Sequence, residues 1–155
     1  MNMRNTSLVY LSEQFHSENT IRSFLESKFG NSKNILLQIE DVINQLKEER
    51  LIDDVRLANT LASHYRHKGN RFIMDLLRKK GIQDDIITQA LSQLKSEVIR
   101  AMKEVKLRLA GKWDNSENQI SYIHRFLQGR QFSHLTIRLV INELICHAVP
   151  GKEAA

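Results

Sequence analysis

Two adjacent carboxylates, Asp53 and Asp54, are the first residues of this 155-residue chain whose spacing could do chemistry. Paired acids can share a proton, or hold a divalent cation where further oxygen or nitrogen ligands converge. No histidine or cysteine lies at ligand spacing beside them, and both stand where a helix begins, after Leu51-Ile52. An N-cap carboxylate accepts backbone N–H groups that lack a partner, and an acid in the first turn opposes the helix dipole. Capping is therefore the role expected of Asp53. Asp84, following Gly81-Ile82-Gln83, is expected to cap in the same way.

The six histidines are scattered, and only His64 and His67 stand close enough to share a helix face. Two ligands with no thiol or carboxylate beside them fall short of a metal site. In their basic run they more naturally add hydrogen-bond donors to a surface that meets anions. Cys146 is the single cysteine, which excludes an internal disulfide. It follows the apolar spacing of the last helix and is expected to be buried and inert. A nucleophile–base pair and a phosphate-cradling glycine loop are both missing from the sequence. The expectation is a protein that is not an enzyme, with no catalytic residue, metal or cofactor.

Cations carry the remaining signal. Residues 63–112 hold 12 Lys/Arg against 5 Asp/Glu, whereas the first 62 residues hold 7 against 9. Arg66, Lys68, Arg71, Arg78 and Lys79 flank Gly69 and Gly81, and Arg100, Lys103, Lys106 and Arg108 follow. Such a local excess fits a face that meets a polyanion, and it equally fits a solvated, helix-favouring surface. Capping alone needs fewer cations than this.

Helices must position these residues. Apolar residues recur at intervals of three and four, no stretch alternates long enough for a strand, and Pro150 is the only proline. The fold class is all-α. Cations before Gly69 and Gly81 read as helix exits, with Ile82 folding back as the apolar contact of a Schellman turn. Leu8, Leu11 and Phe15 mark a first helix. Ser17 caps a second with Ile21, Phe24, Leu25 and Phe29, and Ile39, Val42, Ile43 and Leu46 mark a third.

Two strings then recur. Ile21 to Lys28 aligns with Ile73 to Lys80 and Ile123 to Arg130, at spacings of 52 and 50. Val42-Ile43-Asn44-Gln45-Leu46 aligns with Ala90-Leu91-Ser92-Gln93-Leu94 and Val140-Ile141-Asn142-Glu143-Leu144, at spacings of 48 and 50. This is a threefold repeat of about 50 residues. A three-helix module of that size buries too little apolar surface to stand alone, so neighbours should stack into an elongated row. The expected modules are residues 1–50, 51–97 and 98–149, with a flexible tail at 150–155. The expected core is Ile21, Leu25, Ile73, Leu77, Ile123 and Leu127, with Val42, Leu46, Leu91, Leu94, Val140 and Leu144. The third module opens with a helix expected to turn Ile99, Met102, Val105 and Leu109 inward and Arg100, Lys103, Lys106 and Arg108 outward. Trp113 reads as a plug between modules.

With LIDDVRLA, KGNRFIMDLLRKKGI and HSENTIRSFLESK in this order, the chain resembles the RecX family of recombination regulators, over roughly Leu8 to Ala148. Leu57 departs from it, standing where the family usually has phenylalanine. The resemblance implies a curved row of three three-helix repeats, without cofactor, that binds the RecA recombinase filament on single-stranded DNA. There it would inhibit filament extension and recombinase activity. Because the chain has no bilayer-length or signal-length apolar run, a soluble, cytoplasmic protein without membrane contact is expected, and it is expected to be a monomer. Arg66, Lys68, Arg71, Arg78, Lys79, Arg100, Lys103 and Lys106 are the partner-binding candidates, with weak direct contact to DNA compatible with the same cations. A helix-turn-helix protein acting directly on nucleic acid is the alternative, since residues 70–92 have that outline. Its recognition helix would open with Asp84-Asp85, which phosphates repel.

Overall fold

The computed structural model describes residues 2–154, and side chains from 2 to 147. Among the described residues the elements are nine helices: α1 (Met3–Glu13), α2 (Glu18–Phe29), α3 (Lys33–Glu48), α4 (Asp54–His64), α5 (Asn70–Lys79), α6 (Asp84–Ser92), α7 (Glu97–Leu109), α8 (Glu117–Gly129) and α9 (His134–Ala154). The all-α expectation holds. The side chains of the tail expected from Pro150 lie outside the described residues.

Serine opens helix after helix. The hydroxyls of Ser17, Ser32, Ser96, Ser116 and Ser133 each accept the N–H three residues on, at 3.1, 3.3, 3.3, 3.2 and 3.1 Å. Asp53 does the same for Arg56, at 3.1 Å, as its position predicts. Asp84 does not. It is the first residue of α6, Gln83 occupies the cap position, and the Asp84 carboxylate accepts from Arg78 instead.

The chain divides into two compact units, Met1–Leu61 with Leu76–Ala90, and Ala62–Asp75 with Leu91–Ala155. In unit 1, α1, α2 and α3 enclose Met3, Ile21, Leu25, Ile39, Ile43, Leu46 and Ile52. In unit 2, α7, α8 and α9 enclose Ala101, Val105, Ile123, Leu127, Phe132, Ile137, Val140 and Ile141. Ile21, Leu25, Ile73, Leu77, Ile123 and Leu127 are all fully buried. Leu46 and Val140 join them, while Val42, Leu91, Leu94 and Leu144 are only half-buried. Ile87 and Ala90 take the buried positions of α6.

Each unit holds one junction, and the two junctions match. In unit 1 the Ser17 hydroxyl donates to the Lys80 carbonyl, and the Glu18 N–H donates to Asp54 at 2.9 Å. In unit 2 the Gly69 N–H donates to the Arg130 carbonyl at 2.8 Å, and the Asn70 N–H donates to Glu97 at 2.7 Å. Ser17 and Gly69, Glu18 and Asn70, Lys80 and Arg130 are pairs of positions about fifty residues apart. An acid on the first residue of one helix thus closes the exposed N-terminus of another in both places.

Gly81 is a helix exit as expected, at φ +76°, with Ile82 N–H reaching back to the Leu77 carbonyl in a Schellman turn. Gly69 is not. Helix α4 already ends at His64, and Gly69 precedes α5, where a Cβ would overlap the backbone carbonyl of Gln131. Its glycine is required by close approach of two backbones rather than by left-handed geometry.

Four other expectations need correction. Phe15 lies beyond the end of α1 and is 71% exposed, with the Arg56 guanidinium 5.7 Å from its ring centre. On α7, Ile99 points outward and Arg100 inward, because Ala101 and Val105 define the buried face. Cys146 is exposed, since α9 buries Ile137, Val140 and Ile141 on its other side. Trp113 is half-buried and packs against the core cluster of unit 2.

Candidate interaction surface

Asp53 and Asp54 both have structural roles. Asp53 caps α4 and Asp54 accepts the Glu18 N–H, in a cavity of about 660 Å³ also lined by Arg22, Lys47 and Arg50. Burial pushes the Asp54 carboxyl up, against the pull of that N–H. Arg22 pairs with Glu40 at 2.7 Å and Glu18 at 3.4 Å, and Lys47 with Glu18 at 3.3 Å, so charge there is largely cross-compensated. Among the described residues no group of His, Cys, Asp and Glu is arranged to hold a metal ion. His64 and His67 instead sit around Tyr65, and burial together with nearby Arg130 lowers the His67 pKa.

The five cations that flank Gly69 and Gly81 fall in both units. Arg78 and Lys79 belong to unit 1, where both are exposed and Arg78 is paired with Asp84 at 3.1 Å. Arg66, Lys68 and Arg71 belong to unit 2. Arg66 and Arg71 are exposed, while Lys68 is half-buried with its ammonium 5.0 Å from the Phe72 ring centre.

Arg100 is the largest departure. Only 6% exposed, it donates to the carbonyls of Lys95 (2.9 Å), Arg66 (3.0 Å) and Lys68 (2.7 Å) and to the Asn70 side chain. The turn at residues 65–68 leaves backbone carbonyls without helical partners, and a five-donor guanidinium can satisfy several at once. Arg100 is therefore a buried fastener of unit 2, not an outward cation. Glu97, one turn away, holds the other side. Burial would raise its pKa, but the Thr136 hydroxyl (2.6 Å) and the Asn70 and Ser133 N–H groups outweigh that and lower it.

Lys103 and Lys106 are exposed as expected, and between α7 and α9 they border a groove that the sequence did not reveal. Its volume is about 700 Å³, lined by Val98, Ile99, Met102, Lys103, Lys106, Leu107, Leu139 and Glu143. Ile99 and Lys103 also line an adjoining cavity of about 320 Å³ with Arg66, Leu94 and Lys95. Ile99, Leu107 and Leu139 are 55%, 68% and 43% exposed. Large aliphatic side chains clustered at a rimmed groove are what protein-interaction sites present. A sequence signal existed: Ala101 and Val105 set the buried phase of α7, and that phase turns Ile99, Lys103 and Leu107 out together.

At the start of α6, Asp84 and Asp85 are both exposed. A helix presenting two carboxylates there is a poor reader of DNA, which counts against the helix-turn-helix alternative. No described helix is long and apolar enough to cross a membrane.

Comparison with known proteins gives this arrangement a family. A regulatory protein RecX from Prosthecochloris aestuarii is 30% identical over 146 residues, which are 91% of this chain and 92% of that protein. The chain belongs to the RecX family. Regulatory proteins RecX from Oceanobacillus iheyensis and Bacillus pumilus are 25% and 29% identical over 142 and 150 residues. The chain spans about half the length of these two relatives, 50% and 54%. A crystal structure of RecX from Lactobacillus salivarius matches with a TM-score of 0.76 at 27% identity, over 93% of this chain and 95% of that one. A second RecX crystal structure, at 24% identity, shares the fold with a TM-score of 0.68 over 90% of this chain and 71% of that one. No protein-family model matches the sequence.

Proposed function

We propose that this protein binds the RecA recombinase filament on single-stranded DNA and inhibits its extension and recombinase activity, so regulating recombination and repair. The observation that carries the reading is identity with regulatory protein RecX along nearly the whole length of both chains. The mechanism is steric and electrostatic: a helical surface occupies the filament, excludes substrate DNA and blocks subunit addition, and no bond is made or broken. Exposed Lys95, Lys103 and Lys106, with Arg66 and Arg71, supply attraction to an anionic partner. On this reading the chain is organised as three repeats, residues 1–50, 51–97 and 98–149. It works as a monomer in the cytoplasm beside its nucleoprotein partner, without a cofactor.

The test is the DNA-dependent ATPase and extension rate of a RecA filament titrated with the pure protein. Both rates should fall at substoichiometric or stoichiometric protein, and rising salt should relieve the effect through screening and counterion release. Unchanged rates at excess protein would overturn the proposal.

A further inference from the structure

The groove between α7 and α9 has two properties that together define what fills it. Its floor and walls are aliphatic, through Ile99, Met102, Leu107 and Leu139. Its rim is predominantly cationic: Lys103 and Lys106 border it with one acid, Glu143, and Lys95 stands in the adjoining cavity. None of these three lysines has a carboxylate within ion-pair distance among the described residues. Of the acids nearby, Glu104 pairs with Arg130 at 2.7 Å, and Glu143 shares a hydrogen bond with His147.

We propose that this groove docks an acidic amphipathic helix contributed by the protein subunits of the filament, an assignment that rests on the reading above. Helix α7 has 13 residues, roughly 20 Å at about 1.5 Å per residue, so a partner helix of about three turns lies along it. Ile99, Lys103 and Leu107 follow at intervals of four and present alternating apolar and cationic contacts, the counterpart of apolar anchors flanked by Glu or Asp. Single-stranded DNA fits less well. Its bases stack on aromatic platforms, and the groove lining contains no ring. Phosphates would meet the lysines and leave the aliphatic floor in water. A second copy of the same face would set Lys103 and Lys106 against like charges. A neutral apolar helix would half-bury both ammonium groups without a partner.

The experiment measures affinity for a RecA filament and for a bare single-stranded oligonucleotide by fluorescence anisotropy. The parent is compared with Leu107→Glu, Leu107→Met and the double reversal Lys103→Glu/Lys106→Glu, each checked for an unchanged thermal melt. Leu107→Glu and the double reversal are expected to weaken filament binding at least tenfold. Leu107→Met should match the parent, and Leu107→Glu should leave oligonucleotide binding unchanged. If Leu107→Glu binds the filament as the parent does, the groove assignment falls while the functional reading stands. A parallel loss for the bare oligonucleotide would mean that the groove holds nucleic acid, which also overturns the assignment. If the parent itself does not bind the filament, the functional reading falls and the assignment with it.

Discussion

Gly69 and Gly129 are the same residue under opposite constraints. A Cβ at Gly69 would overlap the Gln131 carbonyl, whereas at Gly129, the last residue of α8, it meets open space. Gly69→Ala should therefore destabilise by about 1–3 kcal/mol or more through forced separation of two backbones. Gly129→Ala should stabilise by up to about 1 kcal/mol, as the helix loses its most flexible residue. Thermal unfolding of the two variants checks both, and equal effects would contradict the close approach. Glu97 gives a pH dependence. Its folded pKa lies below the ordinary 4.5, so its contribution is present above that value and is lost as pH falls through the folded pKa. Glu97→Gln should be less stable than the parent at neutral pH, and the gap should narrow as pH falls below the ordinary 4.5 in chemical denaturation. A constant gap would assign Glu97 a purely steric role. Asp53 was legible because a cap needs only a local pattern. Arg100 was not, because its acceptors lie some thirty residues away in sequence, at Arg66, Lys68 and Asn70.

At the scale of elements, the repeat in the apolar strings translated directly into burial. Ile73 and Leu77 occupy on α5 what Ile21 and Leu25 occupy on α2, and all four are fully buried. Leu77→Ala should cost about 2–5 kcal/mol, because the close-packed surroundings of a fully buried leucine collapse only partly into the space left. Urea unfolding measures it, and a loss below about 1 kcal/mol would contradict the packing. What the pattern could not give was phase where small residues carry the buried face. On α7 the face is set by Ala101 and Val105, so the larger Ile99 faces solvent. On α6, Ile87 and Ala90 displaced Leu91 from full burial for the same reason. Helix ends were easier to read at Gly81 than at Gly69. A left-handed exit has a local signature, and contact with Gln131, in a turn distant in sequence, has none.

For the molecule as a whole, the uneven charge of the sequence is partly spent on structure. Arg100 satisfies buried carbonyls, Arg130 pairs with Glu104, and Arg78 pairs with Asp84. Lys95, Lys103 and Lys106 remain on the surface, beside the aliphatic groove of unit 2. Composition alone could count these cations but could not say which were committed. The central claim is that this surface serves a protein–DNA filament rather than DNA by itself. Equilibrium binding of the pure protein to a RecA filament and to the same bare single strand, at matched salt, tests it most directly. At least tenfold tighter binding to the filament is the predicted result, and equal or tighter binding to the bare strand would contradict the account.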